Sequence, residues 1–275
     1  MYDYHMHTYF STDCAIPVKE MIEGALAAGM KEIAITDHID FEYNSTEIQF
    51  DFDVAVALTE YEALAAEYSD RIIVRKGLEI GIQPHVLGRC SVLVNTHGFD
   101  FVIASVHNTD KKDLYNGDYY KDRTPEEALV FFYEELYQML RNYRDYSVVG
   151  HVDIVKRYND EVKALPFEKY REIISKPLKE IIKAGKGIEI NLSGIRQGLG
   201  EPLPSLDLLK LYRELGGEIV TLGSDSHVAE TIGDQFLLGL SMLREAGFEH
   251  LYRFERMVPY PVALDEVEAA YRAKA

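Results

Sequence analysis

The stretch DYHMHTYFSTD, residues 3–13, crowds two histidines and two carboxylates into the start of an acidic chain. Alternate side chains of a strand leave the same face, so His5 and His7 project together while Tyr4 and Met6 face the other way. Two imidazoles on one face suit a metal ion. With histidine at 9 of 275 positions, a random chain would contain His-x-His roughly 0.3 times, so the pair needs context. That context must be further ligands supplied from elsewhere in the chain.

Working outward, short β-rich runs recur: YDYHMH (2–7), EIAITDH (32–38), IIVRKGLEIG (72–81), FDFVIASVH (99–107), SVVGHVD (147–153), GIEINLS (187–193) and EIVTLGSDSH (218–227). Amphipathic stretches lie between them, among them 17–29, 53–69, 124–143, 168–185 and 205–217. Strands alternating with helices imply parallel βαβ units. Thr124-Pro125-Glu126-Glu127 reads as a helix start, and Gly29, Gly185 and Gly216 as helix stops. In most of these runs a polar residue sits at the end of the apolar segment. In a parallel barrel those ends share one mouth, where such barrels place their active sites. Seven strands instead of eight predict a distorted or incomplete barrel.

At 275 residues, with 47% hydrophobic and 27% charged residues, one large α/β domain over 1–275 is expected, with no linker, repeat or low-complexity tract to divide it. Its 29 basic and 46 acidic residues give a net charge of −17, a field that repels nucleic acid and anionic membranes. Cys14 and Cys90 are too few for a disulfide framework and fit a reducing interior. No signal-peptide pattern opens the chain and no run of about 18 apolar residues occurs, so a cytoplasmic protein is expected. The formal glycosylation sequons at Asn44 and Asn191 are accordingly discounted.

The strand-end residues are His5, His7, His38, Glu79, His107, His151, Asp225 and His227, with Asp13 in the loop after the first strand. Six imidazoles and three carboxylates converging on one mouth exceed what a single four-coordinate zinc absorbs. Two or three ions would use them. Without cations, these carboxylates would share a partly desolvated site, and unpaired buried charge costs several kcal/mol.

The pieces HMHTYFSTD, AITDH, GLEIG, SVH, GHVD and GSDSH, in this order and spacing, resemble the polymerase and histidinol phosphatase (PHP) family over essentially the whole chain. Within it the likeness is greatest to the stand-alone histidinol-phosphate phosphatases. The resemblance implies a distorted (β/α)7 TIM-like barrel with a trinuclear site at the C-terminal strand ends. His5, His7, Glu79 and Asp225 would hold a first metal, and Glu79 would bridge to a second bound by His107 and His151. Asp13, His38 and His227 would hold a third, Asp13 standing where some members have histidine. Glu79, Asp225 and His227 are the catalytic residues so implied, and Arg157 and Arg196 the phosphate-binding ones. Asp37 is expected to orient a neighbour and not to bind metal.

The implied reaction is hydrolysis of L-histidinol phosphate to L-histidinol and phosphate, within histidine biosynthesis, by attack of a metal-bridging hydroxide. Two or three divalent ions (zinc, manganese or iron) serve as cofactors, since imidazole–carboxylate sets accept all three. Metal-activated in-line attack needs no protein nucleophile, and the chain has no Cys-x5-Arg loop or P-loop. The partner is a small phosphomonoester; no nucleic acid or membrane is expected, and oligomeric state is not legible. Competing readings are a phosphoesterase acting on phosphotyrosine or nucleic-acid ends, and a non-catalytic metal-binding module. An amidohydrolase also opens on His-x-His, but relies on a mid-barrel Lys or carboxylate in place of the Glu79 and Asp13 set.

His85, His97 and His250 are expected outside the site, although His85 lies close enough to the third strand to reach the mouth. Cys14 reads as an inert core residue. The segment 108–127, polar and rich in tyrosine, is either a lid that recognises an imidazole or amine, or a solvated loop.

Overall fold

The computed structural model describes residues 1–43 and 49–272, which leaves the Asn44 sequon outside the described residues. Seven parallel strands follow one another around a barrel: β1 (Tyr2–Asp3), β2 (Glu32–Ile35), β3 (Ile73–Gly81), β4 (Phe101–Ser105), β5 (Val148–Val149), β6 (Gly187–Asn191) and β7 (Val220–Gly223). The sheet closes where Tyr4 N donates to Leu222 O (2.9 Å), Asp225 N to His5 O (2.8 Å) and His7 N to Ser226 O (2.9 Å). Each strand is followed by a helix: α1 (Val18–Ala28), α2 (Val54–Glu67), α3 (Leu87–Thr96), α4 (Pro125–Asn142), α5 (Arg171–Lys183), α6 (Leu206–Glu214) and α7 (Phe236–Glu245). The expected seven-stranded barrel is present.

Local chemistry sets the boundaries. Pro125 begins α4, the Thr124 hydroxyl accepts from Glu127 N, and the Glu127 carboxylate reaches back to Thr124, forming a capping box. Gly29 ends α1 at φ 78°, a left-handed cap that a side chain would strain. The second strand departs from the sequence reading, because its ladder stops at Ile35 and resumes as a separate short strand, His38–Asp40. That piece pairs with the far half of β3, His38 opposite Glu79. Between the two pieces Thr36 N bonds Met6 O (2.9 Å), so the break at Thr36–Asp37 re-aims His38 along β3.

Period-two alternation divides each strand. Val102 and Ala104 of β4 and Ile188 and Ile190 of β6 face outward, in one core with Leu136, Met139, Ile174 and Leu178 of the helices. Inward, Tyr4, Ala34, Phe101, Ile103 and Val148 form a second core that plugs the barrel, Tyr4 meeting Phe101 edge-on at 4.9 Å between centroids. Above that layer the inward positions turn polar: Glu79, Ser105 and Glu189 are all buried. Room for them comes from small residues. A Cβ on Gly223 would meet Glu189 Oε1 and His5 Cβ.

The closing hairpin was not legible. Strands β8 (His250–Glu255) and β9 (Val258–Ala263) pair antiparallel, and Phe254 seals the inner core while its N–H bonds the Tyr4 hydroxyl (2.8 Å). Pro259 and Pro261 in β9 disguise it, since proline is confined to edge strands. A last helix, α8 (Leu264–Arg272), follows. No helix among the described residues is long and apolar enough to cross a membrane. Asn191, the other formal sequon, is fully buried.

Candidate metal centre

All nine ligand candidates meet at the C-terminal mouth. His5 and His7 leave the end of β1, Glu79 stands on β3, His107 and His151 follow β4 and β5, and Asp225 and His227 follow β7. His5 Nε2 lies 3.1 Å from His7 Nε2 and 3.3 Å from Glu79 Oε2. Asp225 Oδ1 lies 3.3 Å from His7 Nε2 and 3.8 Å from His5 Nε2, and Glu79 Oε2 lies 3.7 Å from His7 Nε2. Tetrahedral donors about 2.1 Å from an ion stand about 3.4 Å apart, so these four atoms match one coordination sphere.

The other Glu79 oxygen faces a second group, Oε1 being 3.1 Å from His151 Nε2 and 3.4 Å from His107 Nε2. A carboxylate divided in this way can join two ions. Asp13 makes a third group, with Oδ1 3.4 Å from His38 Nε2 and Oδ2 3.2 Å from His227 Nε2.

The imidazoles are aimed by partners that the sequence reading missed. Glu189 accepts from His5 Nδ1 (2.5 Å) and from His151 N (3.0 Å). Asp40 serves two rings, Oδ2 accepting from His38 Nδ1 (2.9 Å) and Oδ1 from His107 Nδ1 (2.8 Å). Ser11 Oγ accepts from His7 Nδ1 (3.0 Å), and the Asp225 carbonyl from His227 Nδ1 (3.2 Å). A proton fixed on Nδ1 leaves the Nε2 lone pair pointing inward, the arrangement metal-binding histidines use. His151 Nδ1 alone has no such partner. Among the described residues Asp37 bonds no imidazole side chain. It accepts from the N–H and hydroxyl groups of Thr8 and Ser11, and from the Tyr61 hydroxyl, so it bears on His7 through Ser11.

Charge balance follows. Burial would raise the Glu79 and Asp225 carboxyls, yet His5 with His107 beside the first, and His5 with His7 beside the second, hold both well below the ordinary range. Burial would lower the His5, His38 and His107 imidazoles, but the carboxylates win. Glu189 and Glu79 lift His5, Asp13 and Asp40 lift His38 to about 10, and Asp40 and Glu79 lift His107. In the metal-free protein, protons thus supply positive charge that cations can supply instead.

Eight of the nine candidates, all but His5, line a cavity of about 520 Å³ together with Arg157 and Arg196. Arg157 is part-buried, its Nη2 donating to Ser193 Oγ (2.8 Å), its Nη1 3.8 Å from Asp225 Oδ2 and its Nε without a partner among the described residues. Arg196 Nη2 donates to the carbonyls of Ser224 and Asp225, both at 3.0 Å. It thereby props a loop in which Asp225 sits at φ 54°, a left-handed conformation uncommon for aspartate.

His85, His97 and His250 stay outside the cavity; His85 turns to Glu42 (3.4 Å). The Cys14 thiol donates to the carbonyls of His7 (3.5 Å) and His227 (3.3 Å), and burial pushes its pKa up, which leaves it unreactive. The segment 108–127 is folded against the barrel. It forms a small hairpin and a buried turn whose Tyr120 hydroxyl donates to Val155 O (2.8 Å), while Asp113 and Tyr115 reach the cavity.

A closed parallel barrel with this donor set at its mouth offers candidate sites for divalent metal ions. The PHP domain family model matches residues 3–193, and the chain belongs to that family. It is 32% identical over 257 residues, 93% of this chain and 94% of the other, to a protein of Lactococcus lactis named histidinol-phosphatase. A crystal structure of histidinol phosphate phosphatase from Lactococcus lactis with zinc, L-histidinol and phosphate superposes with a TM-score of 0.85 at 31% identity, covering 94% of this chain and 98% of that one. The putative histidinol phosphatase of Listeria monocytogenes shares the fold, at TM-score 0.72 and 20% identity, over 86% of this chain and 99% of that one.

Proposed function

We propose that this protein is a metal-dependent phosphomonoesterase that hydrolyses L-histidinol phosphate to L-histidinol and phosphate. The observation that carries this reading is Glu79, whose two oxygens face two separate imidazole sets in a cavity that Arg157 also lines. In this reading His5, His7, Glu79 and Asp225 hold one ion, Glu79, His107 and His151 a second, and Asp13, His38 and His227 a third. Zinc, manganese or iron fit the donors. Bound divalent ions supply Lewis acidity, which makes water a nucleophile at neutral pH and neutralises phosphoryl oxygens.

The protein's part is positioning. Arg157, whose side chain lines the cavity, binds the phosphate, and Arg196 adds its remaining N–H groups. Glu79 and Asp225 are held ionised. Ser193 Oγ (3.0 Å) and Asn191 Nδ2 (3.2 Å) fix Asp225 through Oδ2 and leave Oδ1 toward the histidines. His227, at the rim, is the third catalytic residue. We take residues 1–275 as one catalytic domain, cytoplasmic, acting on a small molecule; its net charge of −17 disfavours a nucleic-acid substrate.

The test is phosphate release from L-histidinol phosphate beside p-nitrophenyl phosphate, a phosphotyrosine peptide and a single-stranded oligonucleotide, on protein reconstituted with zinc or with manganese. A strong preference for the first is expected. Turnover of another ester with histidinol phosphate ignored would retire this substrate and leave a phosphoesterase. Bound metal with no turnover would make the protein a binding module.

A further inference from the structure

Two buried charges stand behind the cavity and belong neither to the ligand groups nor to the phosphate-binding arginines. Asp153 and Lys156 are 0% and 4% exposed, and among the described residues Lys156 is the one basic side chain that pairs with Asp153. Both lie on one tight turn. Ile154 N bonds His151 O (2.8 Å), Lys156 N bonds Asp153 O (3.0 Å) and Arg157 N bonds Ile154 O (2.8 Å), which joins His151 to Arg157 through 3-10 geometry. Side chains three apart eclipse in such a turn, so Asp153 and Lys156 leave it on the same side.

That side meets the loop between β6 and α6. Ser205 N donates to Asp153 Oδ2 (3.2 Å), and Lys156 Nζ stands 3.6 Å from the same oxygen, 3.7 Å from Glu201 Oε1 and 5.4 Å from the centroid of the Tyr170 ring. The loop is itself fixed, because Leu203 N bonds Asn191 O (2.9 Å) and Asn191 N bonds Leu203 O (2.6 Å) at the end of β6. Two side chains therefore fasten the turn to a rigid support.

Stability does not call for this pair. The penalty for desolvating two charges can exceed their attraction, and apolar replacements of a buried pair are often neutral or better. What a paired charge adds is a defined geometry. The group whose geometry it defines here is Arg157, the residue after Lys156, which lines the cavity while Asp153 and Lys156 do not.

We propose that the Asp153–Lys156 pair, tied to Ser205 and Glu201, is a positioning device that sets the Arg157 guanidinium for phosphate. This inference rests on the phosphomonoesterase reading above, and within it on Arg157 as a phosphate ligand. The pair acts through the turn and not on the substrate.

The test is a double-mutant cycle read by the binding of inorganic phosphate to zinc-loaded protein in titration calorimetry. It compares wild type with a neutral variant (Asp153→Asn with Lys156→Met), with Arg157→Ala, and with all three changes together. The neutral variant keeps an acceptor for Ser205 N and leaves the net charge unchanged, so its loss reports placement and not field. Arg157→Ala should weaken phosphate roughly 10- to 100-fold, as expected for hydrogen bonds to charged groups. The neutral variant should lose roughly 3- to 10-fold, because a misaligned hydrogen bond weakens without vanishing, and KM for p-nitrophenyl phosphate should rise in step. Once Arg157 is gone, the same two changes should cost nothing further. Zinc content, by elemental analysis, should be equal in all four proteins. Glu201→Gln, at a side chain 40% exposed and so of little consequence for folding, should lose roughly 2-fold, again only where Arg157 is present.

An equal loss with and without Arg157 would show that the pair supports the barrel at large and would overturn the proposal, as would no loss at all. Zinc missing from the neutral variant would transfer the role to His151 and overturn it too. If the neutral variant does not fold, Glu201→Gln decides alone. Phosphate binding undiminished by Arg157→Ala would remove the device and leave the phosphatase. A wild type that binds phosphate and hydrolyses other esters but not L-histidinol phosphate, with the cycle as expected, would keep the device and retire the substrate. A wild type that binds no phosphate removes both.

Discussion

The floor and the rim of the cavity use the same residue types in different surroundings. On the floor, the side chains of His5, Glu79 and Asp225 are 0%, 3% and 10% exposed. Each has a dedicated partner: Glu189 for His5, Ser105 Oγ at 2.6 Å for Glu79, and Asn191 with Ser193 for Asp225. At the rim, Asp13 and His227 are 42% and 33% exposed; Asp13 spends its oxygens on the imidazoles themselves, and His227 leans on a backbone carbonyl. A preorganised set loses little freedom on binding an ion, whereas a solvated set must be ordered first. The floor should therefore hold metal more tightly than the rim.

The largest expected effect breaks the floor. Asp225→Asn keeps the shape but removes a charge that faces His5 and His7, and activity should fall on the order of 10³-fold, as when a preorganised electrostatic group is lost. Circular dichroism should show the fold retained; near wild-type turnover would sink the ligand assignment. His107→Ala tests the second ion in the same way.

A smaller effect reaches the floor from behind. Glu189→Gln frees the His5 ring without touching a ligand atom, so metal affinity should drop roughly 10- to 100-fold. Competition with a chelator of known affinity measures it, and an unchanged affinity would make Glu189 merely a packing residue.

At the rim, Asp13→Ala removes the carboxylate that His38 and His227 share, but water can replace it at an exposed position. A loss of about tenfold is expected, at the lower end of what such changes cost. Metal content after graded chelation should show one ion leaving first in wild type and missing from the variant. Simultaneous loss of all ions in wild type would erase the distinction between floor and rim.

The convergence of the candidate residues was legible because all but Asp13 lie at the end of an apolar run, and barrel topology carries strand ends to one mouth whatever the loops do. Their partners were not. Asp40 and Glu189 lie within strands, at positions where a carboxylate looks misplaced, and only the folded barrel shows Asp40 between His38 and His107. The period-two spacing of His38 with Asp40 was the available signal. Asp37, the more conspicuous neighbour, instead clamps the Thr8–Ser11 turn. The split of the second strand was hidden because EIAITDH (32–38) reads as one run, and the break depends on Thr36 finding Met6 across the barrel. Among the helices, Leu87–Thr96 escaped notice because Gly88, Ser91 and β-branched residues blur its period.

The smallest effect separates floor from rim through pH in the metal-free protein. Burial opposes protonation of His38, but Asp13 and Asp40 raise it to about 10, and Asp13 likewise raises His227 against the pull of burial. A histidine raised above its unfolded value of about 6.5 contributes stability that is full below that pH and is lost as pH climbs through the folded value. The chelated protein should thus melt progressively lower between about pH 6.5 and pH 10. Below about pH 4.5 the depressed Glu79 and Asp225 impose the opposite slope, stability falling as they protonate. Asp13→Ala should flatten the alkaline limb in part, because it takes the proton-holding partner from the rim and leaves His5 its own on the floor. It should also remove the share of the acid limb that Asp13 contributes, whose carboxyl His227 and His38 hold below the ordinary range against the pull of burial. Scanning calorimetry across that range checks it: an alkaline limb as steep in the variant as in wild type would show that Asp13 does not hold the rim protons, and bound metal, by displacing them, should abolish the slope in both.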